Sequence, residues 1–250
     1  MFPDLAIMVF AIPAVLFAGI SKGGFGSGAA FAAAPLLALV IEPAMAIGLL
    51  LPLLMLVDAV SLRFFWGGWH GPSAVALMLG ALPGVALGVW FFQQADADML
   101  RLLIGVIALL FVAYQLGRNL GWLKIPHMDF RWSTGLLTGA VIGFTSFVSH
   151  AGGPPAAIFL LAQGLRKGVY QATSVIVFWF VNIAKAIPYA MIGLFTRETL
   201  VLDLWLAPVA VIGALLGVKA HHVVPECSFF AITYVLLVGA GCKLIWDALT

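Results

Sequence analysis

The sequence predicts an all-α polytopic membrane protein made of two inverted five-segment repeats, with glycine-broken helices and about 8 to 10 membrane segments. Three observations predict it. Of 250 residues, 64% are hydrophobic and 9% charged, and the mean hydropathy is +1.15; a soluble domain is roughly 25% charged. Apolar stretches of about 20 residues, the length that crosses a bilayer, recur along the chain. Finally, one unusual pattern occurs twice: G-I-S-K-G-G-F-G-S-G-A-A-F-A-A-A-P from Gly19 to Pro35, and G-A-V-I-G-F-T-S-F-V-S-H-A-G-G-P-P from Gly139 to Pro155. A helix broken inside lipid frees backbone groups that have no water to bond, so such breaks persist only against protein or a wet cavity. Two matching breaks point to a transport site.

The spans follow in order. Leu5 to Ile20 and Ser27 to Ile41 flank the first break, and Ala44 to Phe65, Pro72 to Phe92 and Met99 to Leu116 are long enough to cross. Thr134 to Val148 and Pro154 to Leu165 flank the second break; Val169 to Phe195, Leu200 to Val218 and Ser228 to Leu249 are again full-length. The longest polar stretch, Arg118 to Arg131, leaves no room for a soluble domain. Residues 1–250 therefore read as one integral membrane domain, with repeats over 5–118 and 132–249.

The halves align at several points. Gly19, Gly23 and Pro35 match Gly139, Gly143 and Pro155 at an offset of 120; Ala46 and Gly67 match Ala172 and Gly193 at 126; Gly84 and Gly88 match Gly213 and Gly217 at 129. An offset that grows only at loops fits a duplicated unit. The last four glycines form paired G-x-x-x-G spacings, which suit close helix packing. Five segments per repeat make the halves face opposite ways. Loops after odd-numbered segments hold or adjoin Lys22, Arg63, Arg118, Lys124, Arg131, Arg166, Lys167 and Lys219, and those after even-numbered ones only Arg101, Arg197 and Lys243. The positive-inside rule puts the first set in the cytoplasm and both termini outside. If each broken pair re-enters instead of crossing twice, that parity is unchanged.

A net charge of +2 is too small to suggest nucleic-acid binding. Cys227 and Cys242 form no C-x-x-C pair and carry no redox expectation. The N-terminus has no basic n-region and no A-x-A cleavage site, so it reads as a retained first helix. His70, His127, His221 and His222 fall in loops, which leaves His150 without a second ligand at its depth. No metal, haem or other cofactor is expected. Adjacent Ser149 and His150 do not make a facing nucleophile and base, so an enzyme is disfavoured.

Three charges lie where snorkelling does not explain them: Lys22 in the first break, Asp58 inside the third segment and Lys185 inside the eighth. An intramembrane charge costs at least about 2.5 to 3.5 kcal/mol and is a functional candidate by default. Asp58 and Lys185 fit either a buried ion pair that fixes the repeats or a pathway in which Lys185 attracts an anion and Asp58 balances it or relays a proton. Helices starting near Ser27 and Pro154 would aim N-terminal N–H groups at the breaks. With Ser21, Lys22, Gly23, Gly24, Gly26, Ser27, Ser146, Ser149, His150, Gly152, Gly153 and Pro154, these form a candidate site for a small oxyanion. Gln171, Thr173, Ser174 and Asn182 either line a polar path on the eighth segment or bond between helices.

The run from Gly19 to Gly28 with Pro35 behind it, the Gly-Gly-Pro-Pro at Gly152 to Pro155, and Ala172-Thr173-Ser174 together resemble the TauE/SafE family, the 4-toluene sulfonate uptake permeases. The resemblance covers nearly all of the chain. It implies a multi-pass transporter of the cytoplasmic (inner) membrane for sulfite, sulfonates, thiosulfate or similar sulfur anions, often an exporter. The first copy departs from the family pattern at Ala29, Ala30, Leu49 and Leu50. The rival expectation is a non-transporting membrane subunit that docks a partner, which has no need of two symmetrical breaks.

Overall fold

The computed structural model describes residues 5–24, 30–123, 126–220 and 226–250. Over these it is helical: α1 (Leu5–Gly24), a 3-10 turn (Ala30–Ala32), α2 (Ala33–Ala38), α3 (Pro43–Phe65), α4 (Gly71–Gln94), α5 (Ala97–Asn119), α6 (Trp132–Ser149), α7 (Gly153–Ala162), α8 (Lys167–Met191), α9 (Arg197–Ala220) and α10 (Glu226–Leu249). Among the described residues α1, α3, α4, α5, α8 and α9 are long and apolar enough to cross a membrane. Proline in the first turn starts α3, α4 and α7, where its missing N–H leaves no bond unmade. Helix α5 is capped instead by the Asp96 carboxylate, which accepts from Met99 N at 2.8 Å.

At 1.5 Å per residue α2 is about 9 Å long and α7 about 15 Å, so neither crosses a core of about 30 Å alone. Helix α7 instead turns back. Met128 N donates to Ala162 O at 2.9 Å, which brings the end of α7 to the side on which α6 begins.

The first expected break starts later than the glycines suggest. Helix α1 continues through Gly19, Gly23 and Gly24, because these glycines let it lie directly on α9. A Cβ on Gly24 would sit 2.2 Å from Gly217 O, and one on Gly23 2.4 Å from Ala214 O. Helix α4 lies on α6 in the same way: a Cβ on Gly84 would sit 2.0 Å from Ala140 O, and one on Gly143 2.2 Å from Ala81 O. Such contacts supply the dispersion energy that holds helices together where lipid gives no hydrophobic drive. One register differs from the sequence alignment. Gly19 faces Gly213, but Gly139 faces Gly80 rather than Gly84, one helical turn away.

Helix α3 forms the core, 67% buried along its span, whereas α5 is 33% buried and presents most of its surface outward. Helices α3 and α8 cross at the centre, and each ends in a left-handed glycine, Gly67 at φ 76° and Gly193 at φ 77°. A side chain would be strained at either position.

Candidate functional site

Helix α8 builds the site. Gln171, Ser174, Phe178, Asn182, Lys185 and Tyr189 recur every three or four residues, and this spacing puts them on one face. All six are buried. This stripe faces the C-terminal ends of α1 and α6.

At the α1 end, the Gln171 amide donates to Lys22 O at 2.8 Å and Gly23 O at 3.4 Å, capping carbonyls that have lost their helical partners. The Lys22 ammonium meets both oxygens of Asp58, at 2.6 and 2.7 Å, and Asn182 Nδ2 donates to the same carboxylate at 2.6 Å. Lys22 also lies 5.6 Å from the centre of the Phe178 ring. The expected Asp58–Lys185 pair is therefore replaced by Lys22–Asp58, since the last turn of α1 carries Lys22 to the α3–α8 crossing. Sequence spacing alone does not report that approach.

At the α6 end, Lys185 donates to Ser146 O at 2.9 Å, to Ser146 Oγ at 3.0 Å and to His150 Nδ1 at 3.0 Å. His150 caps α6 in a left-handed conformation, φ 54°, and its Nε2 bonds Ile47 O at 3.0 Å. Because Nδ1 accepts from the ammonium, the ring proton sits on Nε2 and is donated to α3. Tyr189 Oη donates to Phe147 O at 2.5 Å.

Between the two ends lies a small cavity of about 10 Å³, lined by Lys22, Ala30, Leu54, Ser146, His150, Phe178 and Asn182. That is about the volume of a single water. A polyatomic anion does not fit a void of this size.

Other expected site residues fall elsewhere. Gly26 and Ser27 lie outside the described residues, as do Lys124, His221, His222 and the Cys227 side chain. Gly23 and Gly24 serve the α9 contact. Ser149 Oγ bonds back to Thr145 O at 3.1 Å, and Thr173 Oγ1 bonds Val169 O at 2.6 Å while accepting from His70 N at 2.9 Å. Gly152 packs on Phe178, while Gly153 and Pro154 open α7. The N-terminus of α7 is a weak anion cradle, because Pro154 and Pro155 have no N–H and Ala156 N is bonded to Gly152 O. At the cavity α1 and α6 present their C-terminal ends and Ala30 the start of the 3-10 turn, and the nearby positive charge comes from Lys22 and Lys185. Ser21 Oγ, Ser61 Oγ, Gln171 Oε1 and Ser174 Oγ are buried within a turn of the Lys22–Asp58 pair or of Gln171, without a hydrogen-bond partner among the described residues.

A protein-family model described as sulfite exporter TauE/SafE matches residues 11–244, which is most of the 250. The chain belongs to the TauE/SafE family. No curated protein and no solved structure matches it. As a TauE/SafE member it is a multi-pass membrane transport protein of a family described as sulfite exporters, not of an enzyme family. The match runs from α1 into α10, so Lys22, Lys185 and the α8 stripe of this TauE/SafE chain all lie inside it.

Tyr189 was not among the residues expected from sequence. The signal that finds it is the α8 stripe, which it continues four residues past Lys185. Asp203 on α9 was also missed; it is buried and both carboxylate oxygens lack partners among the described residues.

Proposed function

We propose that this protein exports a small sulfur-containing anion, of the sulfite, sulfonate or thiosulfate kind, across the inner membrane by alternating access. The observation that carries the reading is the small cavity between Lys22, Ser146, His150 and Asn182, which the Lys22 ammonium lines and two of whose other lining residues, Ser146 and His150, are bonded by the Lys185 ammonium. Binding an anion there requires the ends of α1 and α6 to move relative to α8, and this coupling of cavity size to helix position is what alternating access needs. Outward movement of an anion is favoured by an inside-negative potential, by about 2.3 kcal/mol per charge per 100 mV.

Two inverted repeats of five segments, over 5–118 and 132–249, are supported by the exchange in packing: the first helix of each half lies on the fourth helix of the other, α1 on α9 and α6 on α4. Under this topology the α1–α2 and α6–α7 pairs each return to the side from which they start, and the other six helices cross once. Single cysteines at the termini are expected to react with impermeant thiol reagent from outside, and cysteines in the Trp66 to Gly71 and Arg166 to Gly168 loops only from inside. A C-terminus labelled from the cytoplasmic side sinks the inverted arrangement.

The direct test of function is radiolabelled flux in proteoliposomes. Sulfite, thiosulfate and a sulfonate are expected to move faster than in protein-free vesicles, and carboxylates of similar size are not. If no sulfur anion moves, the reading is wrong.

A further inference from the structure

We infer that the Lys185 ammonium occupies the place a coupling cation would take, and that the transported anion is coupled to a proton exchanged at this amine rather than to sodium. The inference rests on the transport reading above. Its ground is the shell around Lys185 Nζ: a carbonyl from the C-terminal turn of α6, a hydroxyl and an imidazole nitrogen at 2.9, 3.0 and 3.0 Å, with the residue 0% exposed. Carbonyls at the C-terminal end of a discontinuous membrane helix are the usual setting for a coupling cation. Here the cation is tethered to α8.

The two buried lysines differ in what deprotonation would leave behind. A proton lost from Lys22 strands the Asp58 carboxylate that it contacts at 2.6 Å. A proton lost from Lys185 strands nothing, because no carboxylate contacts it among the described residues, and the neutral amine still has N–H groups for Ser146. The acceptor is already in place. The proton moves from Nζ to His150 Nδ1, leaving a neutral amine beside an imidazolium that donates from Nδ1 to the amine lone pair and from Nε2 to Ile47 O. When α6 parts from α3, the Nε2 proton passes to water and the histidine is neutral again. The reverse sequence reloads the lysine. The other titratable groups near Lys185 are Tyr189 on α8, Lys22 on α1 and Asp58 on α3; α4 and α7 bring none.

The test uses the full-length protein in proteoliposomes with a pH dye in the lumen. Labelled thiosulfate and a labelled alkanesulfonate serve as probes, since both stay fully ionised near neutral pH and carry no proton themselves. With choline replacing sodium, the wild type is expected to move label and change the lumenal pH together. Lys185→Arg keeps the charge, but its guanidinium does not release a proton; if it elutes as a monodisperse protein, the pH change is expected to be lost. Even if that variant does not fold, the wild-type measurement by itself can overturn the inference, since it separates proton from sodium coupling. Label that moves without a pH change, or only with sodium, overturns the inference and leaves the transport reading standing. A folded Lys185→Arg that keeps the pH change also overturns it. Failure of both probes, and of labelled sulfite in the same vesicles, to enter overturns the transport reading and this inference together.

Discussion

Asp58→Ala is expected to lose most of its folded protein, with Lys22→Met close behind. Removing either partner leaves one buried charge without its counter-ion, a loss of roughly 3 to 5 kcal/mol. For Asp58 the loss includes the acceptor of Asn182 Nδ2. A typical domain has only about 5 to 15 kcal/mol in total, so fluorescence-detected size-exclusion in mild detergent should show the monodisperse peak collapse. Replacing both charges by apolar groups of similar volume, as in Lys22→Met with Asp58→Leu, is often neutral. The double variant is expected to recover the peak and to show no anion flux, because Lys22 lines the cavity and no apolar side chain supplies its charge. Recovery of flux as well would make the pair a strut and leave Lys185 as the cation at the site.

Gly84→Leu is expected to separate α4 from α6 and to remove the folded form. Even the first added carbon would fall 2.0 Å from Ala140 O and 2.9 Å from Phe144 N, both backbone atoms that cannot rotate away. Overpacking by movable side chains costs about 1 to 3 kcal/mol, and a collision with backbone is worse because the whole helix must shift. Gly24→Leu should fail in the same way against Gly217. The control is Gly239→Ala on exposed α10, where nothing lies within 4 Å. There the gain in helix propensity, about 0.5 to 1 kcal/mol, should leave the elution profile unchanged or sharper. A normal profile for Gly84→Leu would mean that the α4–α6 contact is not needed for folding.

Much of this fold was legible because lipid thickness sets helix length: the expected Ala44 to Phe65 is α3 to within a residue, and Pro72 to Phe92 is α4 to within two. The second break was legible too: single prolines are carried inside α1, α3, α4, α8 and α9, but Gly152 and Gly153 followed by two consecutive prolines lack two successive N–H donors and favour a helix start there. The first break was placed too early, because glycine in a membrane helix serves close packing as readily as interruption, and only the presence of α9 against Gly19 and Gly23 decides which. At the site, charge and depth singled out Lys22, Asp58 and Lys185, but not which two meet. That depends on how α1 leans across the α3–α8 crossing. Tyr189 carries no charge that would single it out in the sequence, and its place at the site shows only in the hydroxyl bond to Phe147 O.

The contact of α1 with α9 bears on how the protein is made. Gly19 and Gly213 touch, yet 194 positions separate them in the chain. At about 5 to 20 residues per second, α1 enters the bilayer roughly 10 to 40 seconds before α9 exists. For that interval its glycine face has no partner of its own and is open to the glycine face of α1 in a neighbouring nascent chain. Chains cut short before α9 therefore carry a matched, unfilled surface and are the natural clients of membrane quality control. Slowing translation between α8 and α9 should increase their degradation more than the same pause placed within the first turns of α1, before its glycine face has been made.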